Sequence, residues 1–197
     1  MLVEIFILAI LFGIIRGGKI SRFSYLSFKK ASPFILALVV QVAIVLFGLN
    51  GSGFILDYIK ELYIGSYILF LIGFIININF RELWIVMIGV IMNFIPFVAN
   101  GFKMPISTEG MNLAGFTETA NLVNEGKVAL YKPLTDATKY NLLSKTIVVP
   151  EMYINPQVLT VGDLIIALGL FAMIQSIMLG SSGKKGKVVR FNYDSRI

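Results

Sequence analysis

The sequence predicts an all-α integral membrane protein, a bundle of about five transmembrane helices with a partly helical extracytoplasmic loop. Two observations lead to this fold class. Hydrophobic residues make up 57% of the 197 residues and charged residues only 14%, with a mean hydropathy of +0.84, whereas soluble domains carry about 25% charged residues. The apolar residues are also gathered in five runs, with the charges between them. We therefore treat residues 1–197 as a single membrane domain.

The five runs are the predicted transmembrane segments. They cover residues 2–15, 33–49, 64–80, 83–99 and 158–179. A helix needs about 20 residues to cross the hydrocarbon core, with a lower limit near 17, and the last four runs reach that limit. The first run is shorter and contains Glu4, so it is either a spanning helix with polar ends or an interfacial helix. We favour a spanning helix.

The basic residues predict the orientation of the bundle, because short loops rich in Lys and Arg stay in the cytoplasm. Five basic residues lie in loop 16–32 and five more in the tail at 180–197. Alternation of the segments then places the N-terminus outside, the tail inside, and the loop at 100–157 outside. With this arrangement eleven basic residues lie inside and six outside. The predicted location is the plasma membrane, which the chain crosses several times.

The loop at residues 100–157 is too long for a plain connection, and we predict that it forms a partly helical cap over the bundle. Ser107 is placed to cap a short helix, and Gly115 is placed to end that helix. Gly126 is placed to end a second helix. Residues 135–143 begin with a Thr and an Asp, which favour the start of another helical turn.

A stripe of small and polar residues runs along the fourth segment. Gly89, Asn93, Pro96 and Asn100 are spaced 4, 3 and 4 apart, so they share one face of a helix. Polar groups in hydrocarbon need partners and usually face the interior of the bundle. The stripe is interpreted either as a packing surface that holds neighbouring helices together or as a binding site on the outer half of the bundle. Pro96 also removes one helical hydrogen bond and predicts a kink.

Asp163 lies five residues into the last segment, roughly 6–9 Å below the outer boundary. A carboxylate at that depth costs a few kcal/mol unless it is paired, protonated or hydrated. Asn93, Asn100 and Lys103 come from the outer end of the fourth segment, and Lys103 is the expected charge partner. These four residues are the candidate binding site. The alternative is that Asp163 only stabilises the N-terminus of its helix.

The residue inventory excludes several kinds of chemistry. The sequence contains no Cys and no His, which removes disulfides, thiolate metal sites and the usual general base. Membrane aspartyl proteases need Gly-x-Gly-Asp and a second carboxylate. Here Thr160 stands at the first Gly of that signature, and only Asp57 and Asp136, from the outer loops, are available as a partner of Asp163. We predict no catalytic residues, no metal, no cofactor and no nucleic-acid partner.

The second half of the chain resembles an uncharacterised family of bacterial multi-pass membrane proteins, domain of unknown function 5317. The resemblance rests on a signature after a transmembrane helix and on later short motifs. The matching residues are Asn100, Gly101, Met104, Pro105, Thr138, Ile147, Pro150, Gly162 and Asp163. It covers roughly residues 83–179 well and the earlier part only by hydropathy. It implies a bacterial membrane location and leaves the activity open.

Two positions depart from the family pattern. Phe102 stands where the family has a second Gly, and Ser144–Lys145 stand where it tends to have Gly-Asp. If that family Asp is functional, this chain has lost it. We interpret five positions as structural, forming a kink in the helix and turns, one of them at the membrane surface. These structural positions are Pro96, Gly101, Met104, Pro105 and Gly162.

Three functions follow as hypotheses. The first is a membrane protein that binds a small molecule or ion at the outer polar site, with a possible link to transport. The second is a structural or accessory subunit that contacts another membrane protein or a second copy of itself. The third and most remote is an aspartyl hydrolase. In each case the lipid bilayer is the surrounding partner.

Overall fold

The computed structural model describes residues 2–25, 31–49 and 58–180. Within these ranges the chain is mostly helical, with seven α-helices. Five of them form the bundle: α1 (Leu2–Ile15), α2 (Ser32–Leu49), α3 (Ile59–Ile76), α4 (Arg81–Ala99) and α7 (Val161–Leu179). A short 3-10 helix, Ile20–Tyr25, follows α1. Residues 50–57, which include Asp57 and belong to the predicted outer connection at 50–63, lie outside the described residues. So do Lys29 and Lys30 of the predicted loop at 16–32 and residues 181–197, most of the basic tail.

Three of these helices are long and apolar enough to cross a membrane, namely α3, α4 and α7. Two shorter apolar helices cover Val3–Ile15 and Ser32–Leu46. The structure therefore agrees with a helical, membrane-associated protein. The number of five spans and the orientation stay predictions.

Two helices, α3 and α7, begin or end at least three residues away from the predicted segments. Helix α3 begins five residues earlier than expected and ends at Ile76, where both the backbone and the side chain of Asn77 bond back to Gly73 O. Helix α7 begins at Val161 rather than at 158, because the preceding residues pair as a strand and Thr160 caps the helix. The charged residues Lys60 and Glu61 hid the start of α3 from hydropathy. Apolar residues continue past the end of α3 and precede the start of α7, so hydropathy placed the end of α3 too late and the start of α7 too early.

The bundle consists of two groups of helices. Helix α7 packs along both α1 and α4, while α2 pairs with α3. At the α4–α7 crossing a Cβ on Gly89 would lie 2.6 Å from Gly162 O, so the two backbones touch there. This is the close approach that the small residues of the stripe predicted. The α2–α3 pair is held by Phe34 against Phe74 and by a hydrogen bond from Gln41 to Ser66 Oγ.

The segment between α4 and α7 folds as a cap with mixed secondary structure. Its elements are β1 (Met104–Ile106), α5 (Thr108–Leu113), α6 (Thr117–Asn124), β2 (Tyr131–Pro133), a 3-10 helix at Asn141–Leu143, β3 (Ile147–Val149) and β4 (Gln157–Leu159). Strands β1 and β2 pair in parallel, and β3 and β4 pair antiparallel. Two of the three expected helical stretches form as α5 and α6, whereas residues 135–143 form turns and become helical only in the 3-10 helix at their end. The strands were not predicted, since three-residue strands are too short to show alternation.

The cap has its own small core and the turns that its sequence predicted. Met111 and Ala114, around the end of α5, pack with Ala120 and Val123 of α6. Helix α5 ends before Gly115, which has φ +81°, and α6 ends before Gly126, which has φ +71°. Positive φ values favour glycine, so both breaks have the predicted cause.

Ser107 caps α5 as predicted, because its Oγ accepts the Gly110 N–H at 3.0 Å. Ser107→Ala should lower the free energy of unfolding by about 1 kcal/mol, the usual cost of losing a capping bond. Thermal denaturation of the purified protein measures this. The matched control is Thr117→Ala in α6, whose N-cap position makes no side-chain capping bond. Equal melting temperatures for the two variants would contradict the assignment.

Candidate functional site

The N-terminus of α7 is built around Thr160 and Asp163, which form a reciprocal capping box. Thr160 Oγ1 accepts the Asp163 N–H at 2.8 Å, and Asp163 Oδ2 accepts the Thr160 N–H at 3.0 Å. The carboxylate therefore folds back over the first turn of the helix, where free N–H groups and the helix dipole stabilise negative charge. Asp163 therefore stabilises the N-terminus of its helix, which was the alternative interpretation of this residue in the sequence.

Asn93 joins α4 to this capping box. Its Nδ2 donates to Asp163 Oδ1 at 2.8 Å, and its Oδ1 accepts the Thr160 hydroxyl at 2.6 Å. Asn93 lies one turn along α4 from Gly89, at the point where the two backbones touch. The same close contact therefore serves both packing and the alignment of the two polar side chains.

The charge partner of Asp163 is Lys145, which corrects the expected pairing with Lys103. Lys145 Nζ lies 3.4 Å from Asp163 Oδ2 and donates to Val158 O at 3.0 Å. The two side chains are only 21% and 20% exposed, so water screens this pair less than a surface pair. We call Asn93, Lys145, Thr160 and Asp163 the polar cluster.

Backbone pairing in the cap positions Lys145. Its N–H donates to Pro105 O at 3.0 Å, and its carbonyl accepts the Ser107 N–H at 2.9 Å, beside strand β1. The next residue, Thr146, donates its N–H to Leu159 O at the end of β4. The cap therefore brings Lys145 to the start of α7, although eighteen residues separate it from Asp163.

Asn100 belongs to a second network, which corrects the expectation that it would meet Asp163. Its Nδ2 donates to Pro96 O and to Lys139 O, both at 2.8 Å. Its Oδ1 accepts from Lys139 N–H at 3.1 Å and from Lys132 Nζ at 3.3 Å. Asn100 thus attaches the cap to the end of α4, and it uses its full hydrogen-bonding capacity in doing so.

The predicted turn at the membrane surface is shorter than expected. Gly101 has φ +74°, as its role required, and Phe102 follows with φ +61°, a conformation that costs a non-glycine residue about 1–2 kcal/mol. The Phe102 ring lies edge-on to Phe97 with centroids 5.8 Å apart, and Lys60 Nζ lies 4.3 Å from its centroid. Met104 is not in the turn but begins β1, since its N–H donates to Leu130 O.

Pro105 is also part of β1 rather than a turn residue. It is fully buried in the middle of the strand, where its carbonyl accepts the Lys145 N–H. A proline fits there because it offers an acceptor without a donor to satisfy. The position therefore serves to hold Lys145 and not to stop a helix.

A cleft of about 570 Å³ lies between the α2–α3 pair and helices α4 and α7, below the cap. The polar cluster lines the end nearest the cap, and Phe74, Leu83 and Met173 line the other end. Most of the remaining wall is aliphatic or aromatic. Concave, mainly apolar cavities with a few convergent polar groups are typical of ligand sites.

Three tyrosines add hydroxyl groups to the cleft wall, namely Tyr63, Tyr67 and Tyr131. Tyr63 stacks on Phe97 at 4.4 Å, and Tyr67 packs on Phe94 at 4.5 Å between ring centroids. In residues 2–25, 31–49 and 58–180 these three hydroxyls make no hydrogen bond to protein. Their hydrogen-bonding capacity is therefore not used by these parts of the chain.

The described residues offer no partner carboxylate for an aspartyl hydrolase. The groups that contact the Asp163 carboxylate are the Asn93 amide, the Thr160 backbone N–H and the Lys145 ammonium group. No group of three or more His, Cys, Asp or Glu in the described ranges is arranged to hold a metal ion. Asp57 lies outside those ranges.

Sequence reasoning found Asn93 and Asp163 but missed Lys145 and Thr160. Thr160 carries a readable signal, since Thr-x-x-Asp before an apolar run is a capping-box pattern. Lys145 carries none, because its position depends on strand pairing with residues forty positions away.

Fold and site together define a class: a helical protein with long apolar helices, a cap of short helices and strands, and an apolar cleft that ends at a polar cluster containing two charged residues. The family of unknown function DUF5317 matches residues 25–175, and the chain belongs to this family. The match includes every residue of the polar cluster and of the cleft wall. No curated protein and no solved structure matches the chain.

Proposed function

We propose that this protein is a five-helix membrane protein that binds a small molecule in the cleft, with the polar cluster as its recognition group. The observation that carries the proposal is the position of the cluster at one end of a cavity of about 570 Å³. Ligand cavities are roughly 300–1,000 Å³, with mainly apolar walls and a few fixed polar groups. The cluster is held rigidly by both the helix crossing and the cap, as a recognition group requires.

The outward faces of α1 and α2 support five membrane helices. On α1, Phe6 and Phe12 are about half exposed, and on α2, Ile35 and Val39 are exposed to a similar degree. Large apolar faces of this kind are stable in lipid and unfavourable in water. Each helix also lies against a long apolar helix, α1 on α7 and α2 on α3. We therefore count α1 and α2 as further spans, with polar ends or local thinning of the bilayer compensating for their short length.

The distribution of charge supports an outward-facing cap. Arg16, Lys19 and Arg22 lie at the end of α1 opposite the cap, where the Lys19 N–H and Arg22 Nη1 donate to Met178 O. Basic residues at that end favour the cytoplasmic side. At the other end Asn155 of the cap donates to Glu4. The N-terminus and the cap then face outward, in the plasma membrane of a bacterium.

A thermal-shift scan of the purified full-length protein against a panel of ions, metabolites and lipids tests this proposal. We expect at least one compound to raise the melting temperature of the parent protein and to have no effect on Asp163→Asn. The matched control is Asp136→Asn, which removes the same charge from an exposed site in the cap and should respond like the parent.

Two results would contradict the proposal. If no compound changes the melting temperature, the cleft is not a binding site and an accessory-subunit role becomes the better hypothesis. If Asp163→Asn responds as the parent does, the polar cluster does not recognise the ligand.

A further inference from the structure

We propose that the ligand of the cleft is a single-chain lipid with an acidic headgroup, a carboxylate or a phosphate. The apolar chain lies along the cleft and the headgroup lies against the polar cluster. This inference rests on the proposed function and specifies the chemical class of its ligand. Three observations support it. The cleft is long, hydrogen-bonding groups at its outer end are unused, and the cleft opens to the side past α2.

The cleft is long enough for an extended hydrocarbon chain. Along α4 it is lined from Phe97 at the outer end to Leu83 near the start of the helix. These residues are fourteen positions apart, or about 20 Å along the axis. That is about two thirds of the roughly 30 Å hydrocarbon core. A compact metabolite would occupy only one end of such a cavity.

The wall changes character along this length. Phe70 and Phe74 of α3 and Leu170 and Met173 of α7 face the inner part, with no charged side chain among the lining residues there. Polar side chains are concentrated at the outer part, in the polar cluster and in tyrosines such as Tyr131. The division into a long apolar part and a short polar end matches the division of a single-chain amphiphile.

The unused hydrogen-bonding capacity at the polar end consists of one ammonium donor and of tyrosine hydroxyls, which can either donate or accept. Asp163 already accepts from Asn93, Thr160 and Lys145. The Lys145 ammonium has three donors and uses two of them, on Val158 O and Asp163. One ammonium N–H and the hydroxyl groups of the cleft tyrosines remain. A headgroup rich in acceptors satisfies these donors, and a charged acceptor does so most strongly.

The cleft also opens sideways, toward the hydrocarbon in the proposed membrane. Ile35 and Leu38 of α2 line the cleft and are nevertheless 59% and 49% exposed. The α2–α3 pair meets the rest of the bundle less extensively than α7 meets α4. A lipid chain can therefore enter from the bilayer past α2 without first crossing water.

The test measures thermal stability of the full-length protein in a neutral detergent with two homologous series, alkyl carboxylates and alkyl phosphates, from short to long chains. Alcohols of the same chain lengths provide the neutral headgroup, and acetate and inorganic phosphate provide the headgroup alone. We expect stabilisation only when a long chain and an acidic headgroup are combined. The better of the two acidic series identifies the headgroup.

Variants separate the roles of the chain and the headgroup. Val90→Trp fills the cleft from α4, and we expect it to weaken apparent binding at least about tenfold, the ratio that corresponds to 1.4 kcal/mol. Ile88→Trp adds the same side chain at a position on α4 that does not line the cleft, and should bind like the parent. Lys145→Gln should abolish the preference for acids over alcohols. Mass spectrometry of lipid retained by the parent and by each variant provides a second measurement that does not depend on a melting curve.

The outcomes distinguish this inference from the proposed function. If acetate or inorganic phosphate stabilises the protein as well as the long-chain acids do, the lipid inference is wrong while small-molecule binding survives. If alcohols and acids are equivalent, or if Val90→Trp and Ile88→Trp bind equally well, the inference is also overturned. If no compound in the scan binds at all, both the inference and the proposed function fail.

Discussion

Gly89→Ala should destabilise this protein strongly, by about 3 kcal/mol, the upper part of the range for overpacking. An added Cβ would lie 2.6 Å from Gly162 O and 2.8 Å from Ile166 N. Both contacts are to backbone of α7, which cannot move aside as a flexible side chain can. The two helices would have to separate where the bundle packs most closely, and Asn93 would lose its alignment with the capping box.

The sign of this effect is informative, since alanine normally stabilises a helix interior by about 1 kcal/mol relative to glycine. Gly65→Ala in α3 is the matched control, because a Cβ there meets nothing within 4 Å. Unfolding of the two purified variants, by heat or by a denaturing detergent, should show Gly65→Ala unchanged or more stable than the parent and Gly89→Ala much less stable. Equal stabilities would show that the α4–α7 contact is looser than described.

Asp163→Asn should lower the free energy of unfolding by about 2 kcal/mol, even without a ligand. The carboxylate accepts hydrogen bonds from Asn93, from the Thr160 backbone and from Lys145. An amide replaces one of these acceptors by a donor, so two donors face each other in a partly buried site. The cost of such a mismatch, together with a lost charged bond, is about 1–3 kcal/mol.

Chemical or thermal unfolding of the parent and the variant measures this effect. Asp136→Asn is again the control, because it lies at an exposed position where substitutions change stability by less than about 0.5 kcal/mol. In a double-mutant cycle, Lys145→Met should cost less in the Asp163→Asn background than in the parent, since the two groups interact. Additive costs would mean that the pair contributes no coupling to the folded state.

Asp163 pairs with Lys145 and not with the predicted Lys103. This pairing shows how the bundle depends on the cap. Lys145 reaches Asp163 only because β1, β3 and β4 form, and those strands pair only when the cap has folded. Lys145 is also one of the two positions where the chain departs from the family pattern that the sequence suggested. The residue that stands where that pattern has an acid therefore supplies the positive charge at the end of the cleft nearest the cap.

The other departure, Phe102, also has a structural explanation. Its φ of +61° is a value that glycine adopts freely and phenylalanine does not. The ring compensates by contacting Phe97 and Lys60. Phe102 therefore joins the turn to α3 and α4, which a glycine at that position would not do.

Sequence patterns determined the features that depend on local composition and periodicity. Apolar runs indicated the bundle helices, the spacing of Gly89 and Asn93 indicated the face of α4 that contacts a neighbour, and Ser107 and Gly115 indicated the ends of a cap helix. Each follows from residues within a few turns of one another, where helical geometry leaves little choice.

Only the tertiary structure decided which residues meet across the chain. The strands of the cap are too short to have a periodic signal, yet their pairing brings Lys145 rather than Lys103 to Asp163 and attaches Asn100 to Lys139 instead. The cleft depends in the same way on the weak contact between two well-packed helix groups. Hydropathy describes how each helix meets lipid, but the space between helices depends on the fit of side chains that lie far apart in sequence.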